Sequence, residues 1–354
     1  MLLTGAGSSA GTAIDAIPGV RVAATAVAFP TDVDPGAPDL DNAGVFRAVL
    51  GDAAPPDWTP EQAEARWGAR RRQWVALPGQ TPSIGATDLA TEAARRALAA
   101  AGLGVGDVDL VVVATSTPDR LTASLSARVC RALGTSCGSV DVRAGGACGL
   151  HAWLTAAAWL RFGPRVALVV ASEVGTPLLD PADLSAWLVY GDGAAAMVLV
   201  RDDEGDAGLI GARLGTFAAP GRAFTVPGPL PPTREAVEGR AYTWQKPDRT
   251  YLEALDGQWR RTCAGLAEAF PDVAIDAFAP YRATRAQVEA AAAAVRVPLE
   301  RTAADVGSHG CVGGVGPLLG VHELRERGLL GPGQVLATAA VAGGVVWHAA
   351  LWRC

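Results

Sequence analysis

The chain has 354 residues, 50% of them hydrophobic and 19% charged, and its net charge at neutral pH is −6. Because nucleic-acid phosphates are bound by basic surfaces, this acidic balance argues against nucleic acid as a partner. The N-terminus lacks a signal-peptide pattern and no uncharged apolar run reaches about 18 residues, so we expect no membrane partner and a cytoplasmic protein.

The six cysteines stand at positions 130, 137, 148, 263, 311 and 354 and show no CxxC spacing. This distribution predicts reduced thiols rather than a disulfide framework, and we assign no metal ligands. With so few charged residues, much of the chain must be buried in a core or in a subunit interface. The composition therefore predicts an oligomer.

The first half alternates predicted strands and helices. Residues 1–20, which include a glycine-rich stretch, are predicted to form a flexible leader, and a loop rich in Pro and Asp follows the first strand. Apolar runs and helical patterns predict strands at 21–29, 108–114, 166–171 and 194–200, and helices from about 60 and at 87–101, 124–133 and 151–162.

The second half restarts near Leu209. Residues 217–250 are rich in proline and predict an irregular segment, either a lid or an interface. Helices are predicted at 251–270, 285–295 and 317–327, and strands at 275–279, 334–340 and 345–352. The alternation is typical of the α/β class. The similar order of elements indicates two related halves whose corresponding loops meet at one site.

Cys148 is the strongest candidate for a reactive residue. It lies in the segment 141–150, where a β-branched strand ends in a glycine-rich turn and a helix begins. Free N–H groups and the positive end of the helix dipole at such a turn stabilise a thiolate. Since the small neighbouring residues leave room for a thioester carbonyl, we interpret Cys148 as a nucleophile. The alternative is a buried structural thiol.

Four motifs resemble those of a known family: residues 141–150, Ser-Glu-Val at 172–174, Tyr-Gly-Asp-Gly-Ala-Ala at 190–195 and Ala-Gly-Gly-Val-Val-Trp at 342–347. Over residues 21–354 the chain resembles a β-ketoacyl-ACP synthase III type enzyme of the thiolase superfamily. The resemblance implies a homodimer and a thiolase-like fold, with two similar halves in a five-layered α/β/α/β/α core. The halves would be residues 21–204, with the nucleophile Cys148, and residues 205–354, with His309 and the Gly343 turn.

The resemblance also implies an oxyanion hole made by the N–H groups of Cys148 and Gly343. Two departures separate the chain from a decarboxylating synthase. Where the family has His in a Pro-His-Gln-Ala-Asn segment, this chain has Tyr281, whose phenol is a poor base at neutral pH. Where the family has Asn in a Gly-Asn-Thr-Ser segment, residues 306–314 offer His309 instead.

A pair of Cys148 and His309 resembles a divergent branch of the family in antibiotic pathways, where Cys and His transfer an acyl group without condensation. We expect His309 to take a proton from the acceptor, since an imidazole has a pKa near 6.5. In several members of that branch an Asp follows this His by five residues, but here that position is Gly314. A third partner must come from elsewhere or be absent, and the candidates are Glu173 and Asp305.

Some residues are candidates for substrate contacts. The family's coenzyme A site uses a Trp and two Arg; Arg66 matches one Arg, while Gln62 and Leu184 stand at the other two positions. This favours a carrier-protein donor over free acyl-CoA. His151 follows Cys148 by three residues, and we expect it either to shape the acyl pocket or to act as the base in place of His309.

Tryptophan is abundant, with ten residues. An aromatic acyl pocket is one explanation, and ordinary core or interface packing is the other. The candidates for the pocket wall are Trp153, Trp159, Trp187, Trp244 and Trp347.

These features predict an acyltransferase of specialised, polyketide-type metabolism. Cys148 would take an acyl group, for instance a small aryl acid such as a methylsalicyl unit, from an acyl carrier protein or acyl-CoA. It would pass that group to a hydroxyl, an amine or a second carrier, with no cofactor beyond the donor thioester. One alternative is a condensing synthase that uses Tyr281 and His309. Another is a non-catalytic subunit that binds an acyl carrier.

Overall fold

The computed structural model describes residues 11–51, 58–343 and 346–354. The strands are β1 (Thr12–Ile14), β2 (Ile17–Pro18), β3 (Val20–Ala28), β4 (Asp39–Asp41), β5 (Arg71–Gln73), β6 (Leu110–Ala114), β7 (Gly138–Val142), β8 (Val166–Glu173), β9 (Gly193–Arg201), β10 (Gly208–Thr216), β11 (Ala277–Pro280), β12 (Val335–Ala342) and β13 (Val346–Arg353). The helices are α1 (Pro30–Val33), α2 (Asn42–Leu50), α3 (Pro60–Trp67), α4 (Ala86–Ala101), α5 (Leu125–Leu133), α6 (Cys148–Leu160), α7 (Leu184–Val189), α8 (Arg234–Glu238), α9 (Arg249–Ala269), α10 (Arg285–Val295) and α11 (Gly316–Glu326). Among the described helices, none is long and apolar enough to cross a membrane.

The first sheet has five strands in the order β3, β9, β8, β6, β7. Every residue of β6 is buried, and its side chains alternate between two separate hydrophobic cores. A strand buried on both faces needs apolar residues at every position, which explains the unbroken apolar run. Helices α4 and α5 cover one face of this sheet, and α6 covers the other.

The second sheet has the order β1, β10, β13, β12, β11, and β2 also pairs with β10. Helices α9 and α10 pack on its outer face. Helices α6 and α11 lie between the two sheets in one shared core. The succession of helix, sheet, helix, sheet and helix is the five-layered α/β/α/β/α arrangement expected from the sequence.

The same order of elements occurs twice along the chain. It runs through β3, α4, β6, α5, α6, β8 and β9, and again through β10, α9, β11, α10, α11, β12 and β13. Strand β7, between α5 and α6, has no counterpart between α10 and α11 in the described part of the chain. Within the sheets the corresponding strands follow the same order. The central helices α6 and α11 are therefore counterparts, and each follows a three-residue 3-10 turn, Gly145–Ala147 and Gly313–Val315.

Two segments differ from the sequence expectation. Strands β1 and β2 pair antiparallel with β10, so residues 12–18 are part of the second sheet rather than of a flexible leader. This pairing depends on residues some 200 positions away, which no local pattern reports; residues 1–10 lie outside the described part of the chain. The Pro- and Asp-rich segment after β3 is not only loop, because it contains α2 and β4, and β4 pairs with β5.

Candidate active site

Cys148 lies at a strand, turn and helix junction. The turn Gly145–Ala147 runs directly into α6, of which Cys148 is the first residue. Gly145 has a φ of 54°, in the left-handed region that favours glycine. The Cys148 side chain is fully buried, and Gly145 and Gly146 line a cavity next to it. The junction thus holds a thiol just beneath a cavity wall.

Glu173, the last residue of β8, lies against this thiol. The Cys148 Sγ donates a hydrogen bond to Glu173 Oε1 at 3.5 Å. The Ser116 N–H donates to both carboxylate oxygens at 3.0 and 3.1 Å, and the Thr117 hydroxyl donates to Oε2 at 2.7 Å. Donors from the loop after β6 therefore fix a buried carboxyl group beside the candidate nucleophile.

Burial controls the ionisation of this pair. It raises the pKa of the Cys148 thiol well above the ordinary value of 9.0, and the Glu173 charge raises it further. Burial also raises the pKa of Glu173 from 4.5, although hydrogen bonds from Thr117 and Ser116 work in the opposite direction. Burial and the Glu173 charge therefore oppose the stabilisation of a thiolate that the sequence predicts for a helix N-terminus. The pair at rest has a protonated thiol.

The turn before α11 covers Cys148 on the side of the second half. A Cβ atom at Gly314 would lie 2.2 Å from Cys148 Sγ and 3.2 Å from Glu173 Oε1. No side chain fits at this position, so the Asp expected from the divergent relatives has no room. Asp305 is bonded within its own loop, to the Ser308 hydroxyl at 2.6 Å. Of the two acids considered as third partner, the structure brings Glu173 to Cys148.

Tyr281 and Cys311 form a second polar pair at the cavity wall. The Tyr281 hydroxyl lies 3.5 Å from Cys311 Sγ. A Cβ atom at Gly146 would lie 2.5 Å from the Tyr281 ring, so the ring packs directly on the nucleophile turn. Burial raises the pKa of both groups. Both are therefore neutral at physiological pH, and neither is a strong proton acceptor.

His309 does not join this cluster. Its ring stacks on Phe29, with ring centroids 3.9 Å apart and planes 6° from parallel, and it is absent from the cavity wall as far as the chain is described. Burial, followed by the charge of Arg282, lowers the pKa of His309 to about 4. Gly310, the next residue, has a φ of 64° and turns the backbone. Cys311, which follows this turn, lines the cavity. The predicted Cys148–His309 pair is corrected accordingly.

His151 also points elsewhere. Its Nδ1 lies 3.1 Å from the Ala147 carbonyl oxygen, and its ring meets His348 edge to face with centroids 4.9 Å apart. Burial lowers the pKa of both histidines. Within the described residues, His151 is not part of the cavity wall. It packs against the second sheet, which corrects its assignment to the acyl pocket or to the role of base.

Gly343 lines the cavity at the end of β12, and its carbonyl oxygen accepts a hydrogen bond from the Tyr251 hydroxyl. The N–H of Cys148, its predicted partner in an oxyanion hole, is directed to the Gly145 carbonyl within the turn. The predicted oxyanion pair stays a prediction.

The cavity has a volume of about 1660 Å³. Part of its wall is a cluster of Trp58, Arg66 and Trp67. The two indole rings stack with centroids 4.9 Å apart, and the Arg66 guanidinium lies 5.3 Å from each. Arg66 thus lies at the cavity wall within a cation–π cluster, and its predicted contact with coenzyme A stays a prediction.

A second part of the wall is aromatic. Trp244 lies 4.8 Å from Phe224 and 5.1 Å from Tyr190, measured between ring centroids. Phe224 and Trp244 belong to the irregular segment between β10 and α9, and Tyr190 follows α7. All three line the cavity. The irregular segment thus forms the aromatic side of the pocket.

Comparison with known proteins identifies the family. Residues 140–218 match the model for 3-oxoacyl-[acyl-carrier-protein] synthase III, and residues 269–354 match the model for its C-terminal part. A β-ketoacyl-[acyl-carrier-protein] synthase III from Rhizorhabdus wittichii is 32% identical over 316 residues, which are 89% of this chain and 94% of the relative. One from Bordetella petrii is 34% identical over 81% of this chain and 86% of the relative. The chain belongs to the β-ketoacyl-ACP synthase III family.

Solved structures of such enzymes share the fold. A synthase III from Pseudomonas aeruginosa matches with a TM-score of 0.80 and 23% identity, covering 95% of this chain and 98% of the other. A priming β-ketosynthase from a polyketide pathway matches with a TM-score of 0.78 and 23% identity, covering 96% and 97%. The thiolase-like fold expected from the sequence is confirmed.

Some residues of this synthase III-type enzyme lie away from their expected places. Trp187 packs on Trp74, with ring centroids 4.8 Å apart, and Trp347 is buried against Gly11 and Gly215. Neither belongs to the cavity wall where the chain is described. Their assignment as substrate contacts is corrected, because both side chains pack into buried hydrophobic clusters instead of lining the cavity.

Sequence reasoning missed Cys311 and the aromatic residues Tyr190 and Phe224. A signal for Cys311 was present: Gly310 matches the glycine of the family's Gly-Asn-Thr-Ser segment, so the next residue stands at the Asn position. Tyr190 and Phe224 had no local signal, because they lie 34 residues apart in the sequence and meet only in the folded chain.

Proposed function

We propose that this enzyme transfers an acyl group through a Cys148 thioester to a hydroxyl, an amine or a second carrier, without decarboxylative condensation. The observation that carries the proposal is the composition of the cavity wall, where a carboxyl group lies at the thiol while a neutral phenol and a neutral thiol occupy the second polar position.

No imidazole of a described residue lies on the cavity wall, which argues against condensation. Loss of carbon dioxide from a malonyl thioester leaves an enolate, which needs strong donors or a nearby positive charge. Tyr281 and Cys311 can share one weak O–H to sulfur contact of 3.5 Å, and burial keeps both neutral. Simple acyl transfer makes a smaller demand, since it needs a nucleophile, a proton acceptor and room for the acyl group.

The acyl group we propose is a small aryl acid of the methylsalicyl type. The contacts among Tyr190, Phe224 and Trp244 support it, because aromatic rings pack well against a flat ring in offset or edge-to-face geometry. The cavity of about 1660 Å³ also leaves space for a carrier arm. Such chemistry belongs to specialised, polyketide-type metabolism.

The donor we propose is a carrier-protein or coenzyme A thioester, which is itself the activated group, so the reaction calls for no resident cofactor. Arg66, between Trp58 and Trp67 at the cavity wall, offers a cation for a phosphate of either donor. We further propose a homodimer, because β7 is the edge strand of the first sheet and Leu121, near the cavity, is 77% exposed.

The test is intact-protein mass spectrometry after the enzyme is mixed with aryl, short-chain and malonyl thioesters, beside Cys148→Ala. We expect a retained aryl mass on the wild type alone, and an intact malonyl mass if malonyl loads at all. An adduct on both proteins would exclude Cys148 as the nucleophile. No adduct from any donor would favour a non-catalytic, carrier-binding subunit.

A condensing synthase is the second candidate, because the relatives carry that name. It predicts release of carbon dioxide from malonyl thioester by the wild type. Our proposal predicts release only after the family's pair is installed by Tyr281→His with Cys311→Asn. Equal release by wild type and double variant would establish the condensing function instead.

A further inference from the structure

Among the described residues, the ionisable group within hydrogen-bond distance of the Cys148 thiol is Glu173. Glu173 Oε1 accepts its hydrogen bond at 3.5 Å, and Glu173 is the charged group that acts on its pKa. Of the two histidines considered from the sequence, His309 stacks on Phe29 and His151 meets His348 edge to face. A thiol that is protonated at rest must lose its proton to attack a thioester, and the carboxyl group is in place to receive it.

The contacts of Glu173 hold it in the orientation that this transfer needs. Oε2 is taken by the Thr117 hydroxyl at 2.7 Å, and the Ser116 N–H bridges both oxygens. Oε1 therefore remains the oxygen that faces sulfur. Hydrogen bonds donated to a carboxylate favour its charged form, so they keep a buried acid able to accept a proton.

The glycine at position 314 is consistent with this arrangement. A Cβ atom there would lie 2.2 Å from Cys148 Sγ and 3.2 Å from Glu173 Oε1. The backbone thus passes over the space between the two side chains. It shields the thiol and the carboxylate from water while leaving their direct contact intact.

We infer that Glu173 is the catalytic base of this enzyme, taking the Cys148 proton directly through Oε1. The inference rests on the proposed function, because it names the proton acceptor for the same acyl-enzyme step.

The Cys148 S–H bond breaks and its proton moves to Glu173 Oε1, while sulfur bonds to the thioester carbon and the carbonyl electron pair moves to oxygen. When this tetrahedral intermediate collapses, the bond to the donor sulfur breaks and the donor thiolate takes the proton from Glu173. In the second half-reaction Glu173 accepts the proton of the acceptor O–H, N–H or S–H while the acceptor atom bonds to the acyl carbon and the carbonyl electron pair moves to oxygen. When this second tetrahedral intermediate collapses, the carbonyl re-forms, the bond between the acyl carbon and Cys148 sulfur breaks, and the sulfur takes the proton from Glu173.

The main test compares wild type with Glu173→Gln. The amide oxygen still accepts from Ser116 and Thr117, but the side chain no longer takes a proton. General-base catalysis contributes about 100- to 10,000-fold, so we expect acylation at pH 7 to slow by at least about 100-fold. The wild-type rate should fall as pH drops through the raised pKa of Glu173, and this acidic limb should vanish in the variant.

Alkylation of Cys148 by iodoacetamide needs no substrate. Its rate should change in opposite directions in Glu173→Gln, depending on whether Glu173 is the base or only a neighbouring charge. If Glu173 is the base, Glu173→Gln is alkylated more slowly at pH 7. If Glu173 is only a neighbouring charge, its removal lowers the thiol pKa and alkylation becomes faster, which would overturn the inference. Equal acylation rates with an unchanged pH profile would overturn it as well.

Matched variants separate this role from folding. Asp305→Asn removes an acid that is bonded within its own loop, and we expect wild-type acylation. Thr117→Val removes one donor to Glu173, so the acidic limb should move to higher pH; an unmoved limb would contradict the inference. The wild type could form no adduct with any thioester and still be alkylated faster than Glu173→Gln. That result would refute the proposed function, while the assignment of Glu173 as the base would stand.

Discussion

The two central helices begin in the same way, yet only one carries a nucleophile. Gly145 and Gly313 each open a 3-10 turn with a φ of 54°. The first turn leads to Cys148 at the start of α6, and the second leads to Gly316 at the start of α11. The repeated fold thus builds two similar helix N-termini, and the side chains decide which of them is reactive.

The corresponding strands β8 and β12 also differ in the residue at which they end. β8 ends at Glu173, which is held by donors from the loop after β6, whereas its counterpart β12 ends at Ala342. The first half supplies the thiol and the carboxyl group, and the second half supplies Tyr281, Cys311 and a glycine cover. We therefore expect the chemistry to be concentrated in the first half and the second half to shape the cavity.

The largest expected effect is at Gly314, whose backbone lies over the Cys148 side chain. Gly314→Ala places a methyl group 2.2 Å from Cys148 Sγ, whereas the same change at Gly316 meets its nearest atom at 3.7 Å. We expect Gly314→Ala to lower the free energy of unfolding by about 1–3 kcal/mol and to abolish acyl loading. Gly316→Ala should be neutral or stabilise by about 0.5 kcal/mol. Denaturant unfolding and intact mass measure both, and equal behaviour of the two variants would refute the role of Gly314.

An intermediate effect concerns His309, which packs in the second half as a neutral ring. Its pKa is about 4 in the folded protein and about 6.5 when unfolded. The unfolded chain therefore binds the extra proton below pH 6.5, and stability falls between pH 6.5 and 4 by up to about 1.4 kcal/mol per pH unit.

His309→Phe should keep the stack on Phe29 and weaken this acid sensitivity, and the acyl adduct should form as in wild type. Thermal unfolding between pH 4 and 8 measures the first outcome and intact mass the second. Loss of acyl loading in a folded variant would restore the predicted Cys148–His309 pair.

The smallest effect concerns Tyr281. Tyr281→Phe removes one O–H to sulfur contact of 3.5 Å and keeps the ring over Gly146. Since the contact is long, we expect a stability change below about 1 kcal/mol and acyl loading within about threefold of wild type. A much larger loss of loading would show that the second half takes a direct part in the chemistry and would narrow the contrast between the halves.

The regular elements were largely predictable because their signals are local. The pattern over residues 285–295 predicts a helix that the structure has as Arg285–Val295, and the glycine after α4 ends it as expected, since Gly102 has a φ of 67°. The nucleophile turn was equally clear from the segment around Cys148. Pairing of β1 with β10 was missed because the partners lie far apart in sequence.

The sequence by itself therefore determined the α/β order, the repeated halves and the position of Cys148 at a helix start, because strand and helix periodicity and turn chemistry act over a few residues. Only the tertiary structure decided which side chains meet the thiol. It placed the His309 ring on Phe29 and brought Glu173 to Cys148 Sγ. It also buried the Glu173 carboxyl group and the Cys148 thiol. Side-chain direction and pKa depend on contacts and desolvation from distant segments, which no local pattern records.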